Sequence, residues 1–126
     1  LSPVFPQKML RKLNASHNCI KNIPALSVHS VNVLEELLLS NNQLTSLGPE
    51  LRAYTAIVTL DCGHNCITSV DSCISSLVNL KYLNLSHNQI SEMPDDLFLP
   101  LTNLRSINLS HNKFLKKKTK NYYDKA

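Results

Sequence analysis

The residues best suited to chemistry in this 126-residue chain are histidines, cysteines and serines, and their spacing is regular. His17, His64, His87 and His111 each stand directly before an asparagine. In three successive copies of that arrangement, stacked at the strand spacing of ~4.8 Å, the imidazoles would lie close enough to share a metal ion. A metal site needs ligands that converge on one point, and side chains leaving parallel segments do not converge. Asn41 breaks the column, and no carboxylate or thiolate recurs beside it. The expectation is solvent-facing histidines with no metal and no other cofactor. The pairs Ser86-His87 and Ser110-His111 promise no nucleophile either, because neighbours along a strand point to opposite faces. The chain has no glycine-rich phosphate loop, nucleophile elbow, Cys-x-x-Cys or metalloprotease His pair, so it reads as a non-enzyme.

The regularity comes from a repeat. Leu80 to Met93 places apolar residues at Leu80, Leu83, Leu85, Ile90 and Met93, with Asn88 between. The Leu83/Leu85 alternation predicts a strand with Tyr82, Asn84 and Ser86 on the opposite face. The same register recurs from Leu10, Leu34, Ile57 and Leu104, and its asparagines are Asn18, Asn42, Asn65, Asn88 and Asn112. They are 24, 23, 23 and 24 residues apart. That period, with the pattern L-x-x-L-x-L-x-x-N-x-L, is the signature of a solenoid. Over residues 10–115 the chain resembles the leucine-rich repeat family, intracellular type. The resemblance implies an α/β solenoid, a right-handed horseshoe of five repeats of 23–24 residues with a parallel β-sheet on its concave face.

The expected division is a lead-in or linker at 1–9, the five repeats at 10–115 and a basic tail at 116–126. Each repeat buries its leucines against its neighbours and cannot do so alone. Val4 and Phe5 in the lead-in are placed to cover the first strand. The return segments are expected to hold short helical turns: one with Pro49 near its start, one capped by Asp71 ahead of Cys73, Ile74 and Leu77, and one at Pro94-Asp95-Asp96 with Leu97, Phe98 and Leu101 facing inward. With two glycines in the whole chain, the turns rely on Asn and Ser. The five asparagines are read as a structural ladder, whose buried amides bond the backbones of adjacent turns where the chain leaves the sheet.

The formal net charge of +4 is localised. The tail holds five of the 13 basic and one of the nine acidic residues, which leaves eight of each in the body. A global charge argument for a nucleic-acid fold therefore fails. Cys62 takes a strand position filled elsewhere by leucine and reads as a buried hydrophobe. Cys19 and Cys66 share a register position two repeats apart, roughly 10 Å at strand spacing, too far for a disulfide. Free thiols point to a reducing compartment, intracellular and cytoplasmic, with a nuclear location also open. No apolar run is long enough to span a membrane.

The family resemblance implies a protein-protein interaction module, a scaffold or regulatory domain within a larger signalling protein, whose partner binds the concave face. The residues displayed there include Lys12, Glu36, Leu38, Thr59, Asp61, Tyr82, Asn84 and Asn108, with Arg105 alongside. Leu38 is expected to be exposed among Glu35 and Glu36, and to join Tyr82, near Lys81 and Arg105, in an interface with an apolar centre and polar rim. A second reading gives the function to Lys116, Lys117, Lys118 and Lys120, which suit the phosphates of nucleic acid or an anionic membrane. A third is a receptor ectodomain fragment, with sequons at Asn14, Asn84 and Asn108, although the repeat pattern generates these anyway. Neither end offers an evident polar cap, so a longer chain, or a homodimer that buries one end, is expected.

Overall fold

A computed structural model describes residues 10–27 and 31–114. The leucine alternation forms five three-residue strands: β1 (Lys12–Asn14), β2 (Glu36–Leu38), β4 (Thr59–Asp61), β6 (Tyr82–Asn84) and β7 (Ser106–Asn108). They lie side by side in the order β1-β2-β4-β6-β7, all parallel. The register aligns the repeats without slippage, so Leu13, Leu37, Leu60, Leu83 and Ile107 form one inward column. A slip of one residue would turn every leucine to solvent, and this pins the register. The parallel strands and their return segments form the expected leucine-rich repeat solenoid.

Burial follows position in the stack. Leu34, Leu37, Leu39, Leu44, Ile57, Leu60, Ile67, Leu80, Leu85 and Ile90 are buried between neighbouring turns. Leu10, Leu13, Ala15 and Ile20 at one end, and Leu104, Ile107, Leu109 and Phe114 at the other, are only partly buried. Each interior leucine contributes roughly 1.5–3 kcal/mol by leaving water. Residues at the ends of the described stack gain less.

The strand ladder continues into a turn of fixed shape. Leu39, Cys62 and Leu85 N–H donate to Asp61, Asn84 and Asn108 C=O in the next strand, at 2.7–2.8 Å. The chain then reverses through one residue in the left-handed region: His17, Asn41, His64, His87 or His111, at φ 55–59°. Asn and His are enriched there among non-glycine residues, so backbone geometry accounts for the histidine column, including its replacement by Asn41.

A second, two-stranded parallel sheet pairs β3 (Ser46–Leu47) with β5 (Ser69–Val70), an element the repeat pattern did not announce. The return segments carry 3₁₀ turns at Pro49–Ala53 and Ser72–Ser76. Pro49 opens the first, as expected. Asp71 flanks the second, but its carboxylate makes no capping bond and instead accepts from Ser72 Oγ at 3.2 Å. In the following return, Leu97 and Leu101 are buried and Phe98 is partly buried. Tyr54, absent from the apolar pattern, is also buried, and its hydroxyl donates to the Pro24 carbonyl oxygen. A ring that finds one acceptor can occupy a leucine-sized site in such a slab. No helix among the described residues is long and apolar enough to cross a membrane.

Candidate functional site

The side of the five-stranded sheet that faces away from the leucines is lined by three columns. The middle one is Asn14, Leu38, Asp61, Asn84 and Asn108. Four of these side chains have a backbone task. Oδ1 of Asn14, Asp61, Asn84 and Asn108 accepts the amide two residues on, from Ser16, Gly63, Ser86 and Ser110, at 2.9–3.1 Å. These bonds hold the segment that leaves each strand. Asp61 Oδ1 also accepts from Asn84 Nδ2 at 3.0 Å. Asn84 thus spends both ends of its amide inside the protein, and Ser86 is 4% exposed, which makes the Asn84 sequon a poor glycan acceptor. Asn108 leaves its Nδ2 donor without a partner among the described residues.

Leu38 interrupts this column. It is partly buried, not exposed as its register position, filled by Asn or Asp in the other repeats, suggested. It also lies apart from Tyr82. Leu38 pairs with Asp61 on β4, whereas Tyr82 belongs to the column of Lys12, Glu36, Thr59 and Ser106. A whole strand and one side-chain position separate the two, so they do not form the single apolar centre expected from sequence. Tyr82 alone is an exposed large hydrophobe of the strands, at 44%.

Charge on this face is uneven. Arg11 Nη1 meets Glu35 Oε2 at 3.0 Å and Lys12 Nζ meets Glu36 Oε1 at 3.9 Å, across β1 and β2. These are the ion pairs among the described residues, and the pairing neutralises that end of the sheet. At the other end, Lys81 and Arg105 occupy adjacent rim positions, with Arg105 N–H donating to Lys81 C=O at 2.8 Å. Neither has a carboxylate partner among the described residues.

Gly63 sits at the floor of the third column, between Ser40 and Ser86. A Cβ there would lie 3.0 Å from Asn84 Nδ2 and 3.3 Å from Ser86 Oγ, so the close approach of that amide depends on glycine.

Along the strand exits, His64 and His87 stack with ring centroids 4.1 Å apart and an interplanar angle of 10°, and His87 stacks on His111 at 4.1 Å and 12°. The nitrogen lone pairs lie in the ring planes, so a face-to-face stack directs them side by side and not toward a common ion. No group of three or more His, Cys, Asp or Glu among the described residues is arranged to hold a metal. Desolvation holds His87 below the usual imidazole range, and the charges of His111 and His64 add to that effect.

The asparagine ladder runs through the slab beneath. Asn65 and Asn88 are buried; each Oδ1 accepts an amide of the preceding repeat, Leu44 or Ile67, and each Nδ2 donates to three carbonyls. Asn42 and Asn112 repeat the pattern, and Asn42 Oδ1 takes the amides of both Asn18 and Ile20. Asn18 departs from the buried ladder expected of all five, because it is exposed and, among the described residues, donates to Ala15 and Ser16 alone. No turn precedes it among the described residues, and none of them supplies an amide to its Oδ1. The candidates Lys116, Lys117, Lys118 and Lys120, and the lead-in residues Val4 and Phe5, lie outside the described residues. Cys19, Cys62, Cys66 and Cys73 are free thiols, with Cys19 and Cys66 exposed.

Comparison with known proteins agrees with this architecture. The chain is 30% identical over 91 residues to fibromodulin of Sus scrofa, a match covering 72% of this chain and 60% of that protein. It is 34% identical over 84 residues to leucine-rich repeat and calponin homology domain-containing protein 1 of Mus musculus, covering 65% of this chain and 12% of the relative. An adenylate cyclase of Schizosaccharomyces pombe is 35% identical over 93 residues, covering 72% of this chain and 6% of that protein. The chain thus spans less than two thirds of the relatives it matches. Among solved structures, a leucine-rich repeat protein of Leptospira interrogans superposes with a TM-score of 0.82 at 27% identity, covering 98% of this chain and 33% of that one. An internalin of Listeria monocytogenes gives 0.66 at 28% identity, covering 82% of this chain and 28% of that one. The leucine rich repeat family pattern matches residues 32–90 and again 56–114, which together span more than half of the sequence, and the chain belongs to that family.

Proposed function

We propose that this chain is a non-catalytic protein-protein interaction module, a scaffold or targeting domain of a larger protein, whose partner docks on the concave face formed by the five parallel strands. The observation that carries the reading is Tyr82, an exposed aromatic ring on β6 with strands on both sides. Aromatic side chains within a polar surround supply much of the energy of protein interfaces. Lys12, Glu36, Thr59, Asp61, Asn84, Arg105 and Asn108 complete the docking face, and Leu38 serves as half-buried support. The free thiols suit a reducing, intracellular setting.

The test is affinity capture with three forms of the chain: unaltered, Tyr82→Ala with Thr59→Lys, and all four tail lysines changed to Gln. Selective loss of a partner in the first variant supports the module. Loss confined to the tail variant, and reversed by added salt, transfers the function to phosphate binding by the tail.

A further inference from the structure

We propose that the partner segment received at the β6–β7 end of the sheet is an acidic peptide carrying an aromatic or aliphatic residue, an assignment that rests on the concave-face reading. The argument is charge complementarity. At the β1–β2 end, Arg11 and Lys12 are already answered by Glu35 and Glu36. At the β6–β7 end, Lys81 and Arg105 stand in adjacent rim positions, joined by a backbone bond of 2.8 Å, with no carboxylate partner among the described residues. Bare cations on a neutral body attract carboxylates and steer them to one end of the face.

Three further features fit the same occupant. Tyr82 follows Lys81 directly and is 44% exposed, which offers an apolar surface beside the positive rim. Asn108, exposed on β7, has an Nδ2 with no partner among the described residues and is available to a carboxylate. The nearest acid along the sheet is Asp61, whose Oδ1 is held by the Gly63 amide and the Asn84 side chain, both at 3.0 Å. Its remaining negative charge lies in a different column from Tyr82 and discourages the peptide from sliding toward β4. Carboxylates two residues apart on an extended peptide are spaced ~7 Å, a span that long Lys and Arg side chains on neighbouring strands reach.

The experiment is fluorescence anisotropy with the full chain and two labelled peptides, Gly-Glu-Phe-Glu-Gly-Glu-Phe-Glu-Gly and the same peptide with Gln for every Glu. The Glu peptide is expected to bind saturably and at least about 10-fold more tightly than the Gln peptide at physiological salt. Lys81→Gln with Arg105→Gln should remove most of that preference, and Tyr82→Ala should weaken the Glu peptide several-fold. Lys21→Gln, an exposed lysine off the sheet, and the four-lysine tail variant should leave binding unchanged. Circular dichroism of each variant checks that the fold persists. Equal binding of the two peptides, or a preference that survives Lys81→Gln/Arg105→Gln or vanishes with the tail lysines, overturns the assignment. If the affinity capture still depends on Tyr82 in that event, the docking face stands and only the acidic character of its partner is wrong.

Discussion

Replacing Asn88 by Ala isolates what one rung of the asparagine ladder contributes. Asn88 is 6% exposed. Its Oδ1 accepts Ile67 N–H at 3.0 Å, and its Nδ2 donates to the carbonyls of Cys62, Leu85 and Ser86 at 3.0, 3.0 and 3.1 Å. The three carbonyls keep a second donor without it: Asn65 Nδ2 for Cys62, Asn112 Nδ2 for Leu85 and His64 N–H for Ser86. Only the Ile67 amide, buried with its residue, loses its partner. One orphaned buried donor plus three weakened acceptors sums to about 2–4 kcal/mol. Asn18→Ala, at the exposed end of the ladder, removes two bonds that water replaces and should cost less than about 1 kcal/mol. Urea denaturation followed by circular dichroism measures both. Asn88→Asp keeps an acceptor for Ile67 but turns a carboxylate toward three carbonyl oxygens, and should be at least as harmful as Ala at neutral pH. Equal losses for Asn18→Ala and Asn88→Ala would refute the ladder argument, since they would show that burial and cross-turn bonding do not set the cost.

Two further outcomes test the turn column and the core. His87 should titrate below the usual imidazole range by NMR, and His64→Asn with His111→Asn should return it toward that range, because Asn suits the left-handed turn and removes both stacked rings. A folded-state value held below the unfolded one means that this contribution to stability is complete above about pH 6.5 and declines as acid protonates His87; an unchanged His87 titration in the double variant would show the neighbours to be irrelevant. A thiol-reactive dye should label Cys19 and Cys66 in the native protein, and Cys62 and Cys73 only after denaturation. Burial pushes the Cys73 thiol up to about 11, with Asp71 adding to it, and raises Cys62 as well with help from Asp61, so rapid native labelling of all four would contradict the buried placement.

The repeat architecture was legible because one pattern recurs in register, and a pattern that must bury the same leucines in every turn permits one kind of stack. Leu37, Leu60 and Leu83, Asn42, Asn65 and Asn88, and the buried Cys62 all lie where their repeat positions require. The exposure of Leu38 was misread, because alternation reports which face a side chain leaves but not how its neighbours cover it. The histidine column was visible, but its cause was not, since the left-handed turn that favours His and Asn is a backbone property. The pairing of β3 with β5 and the burial of Tyr54 arise between return segments whose residues do not repeat.

By itself the sequence determined the period, the inward column, the amide ladder and the absence of familiar catalytic motifs, all of which depend on spacing along the chain. Only the tertiary structure decided which charges on the open face cancel. Arg11 and Glu35 are 24 residues apart, as are Lys81 and Arg105, so sequence distance treats the two pairs alike. Stacking places a carboxylate beside the first cation and another cation beside the second, and electrostatic complementarity is set by distance in space.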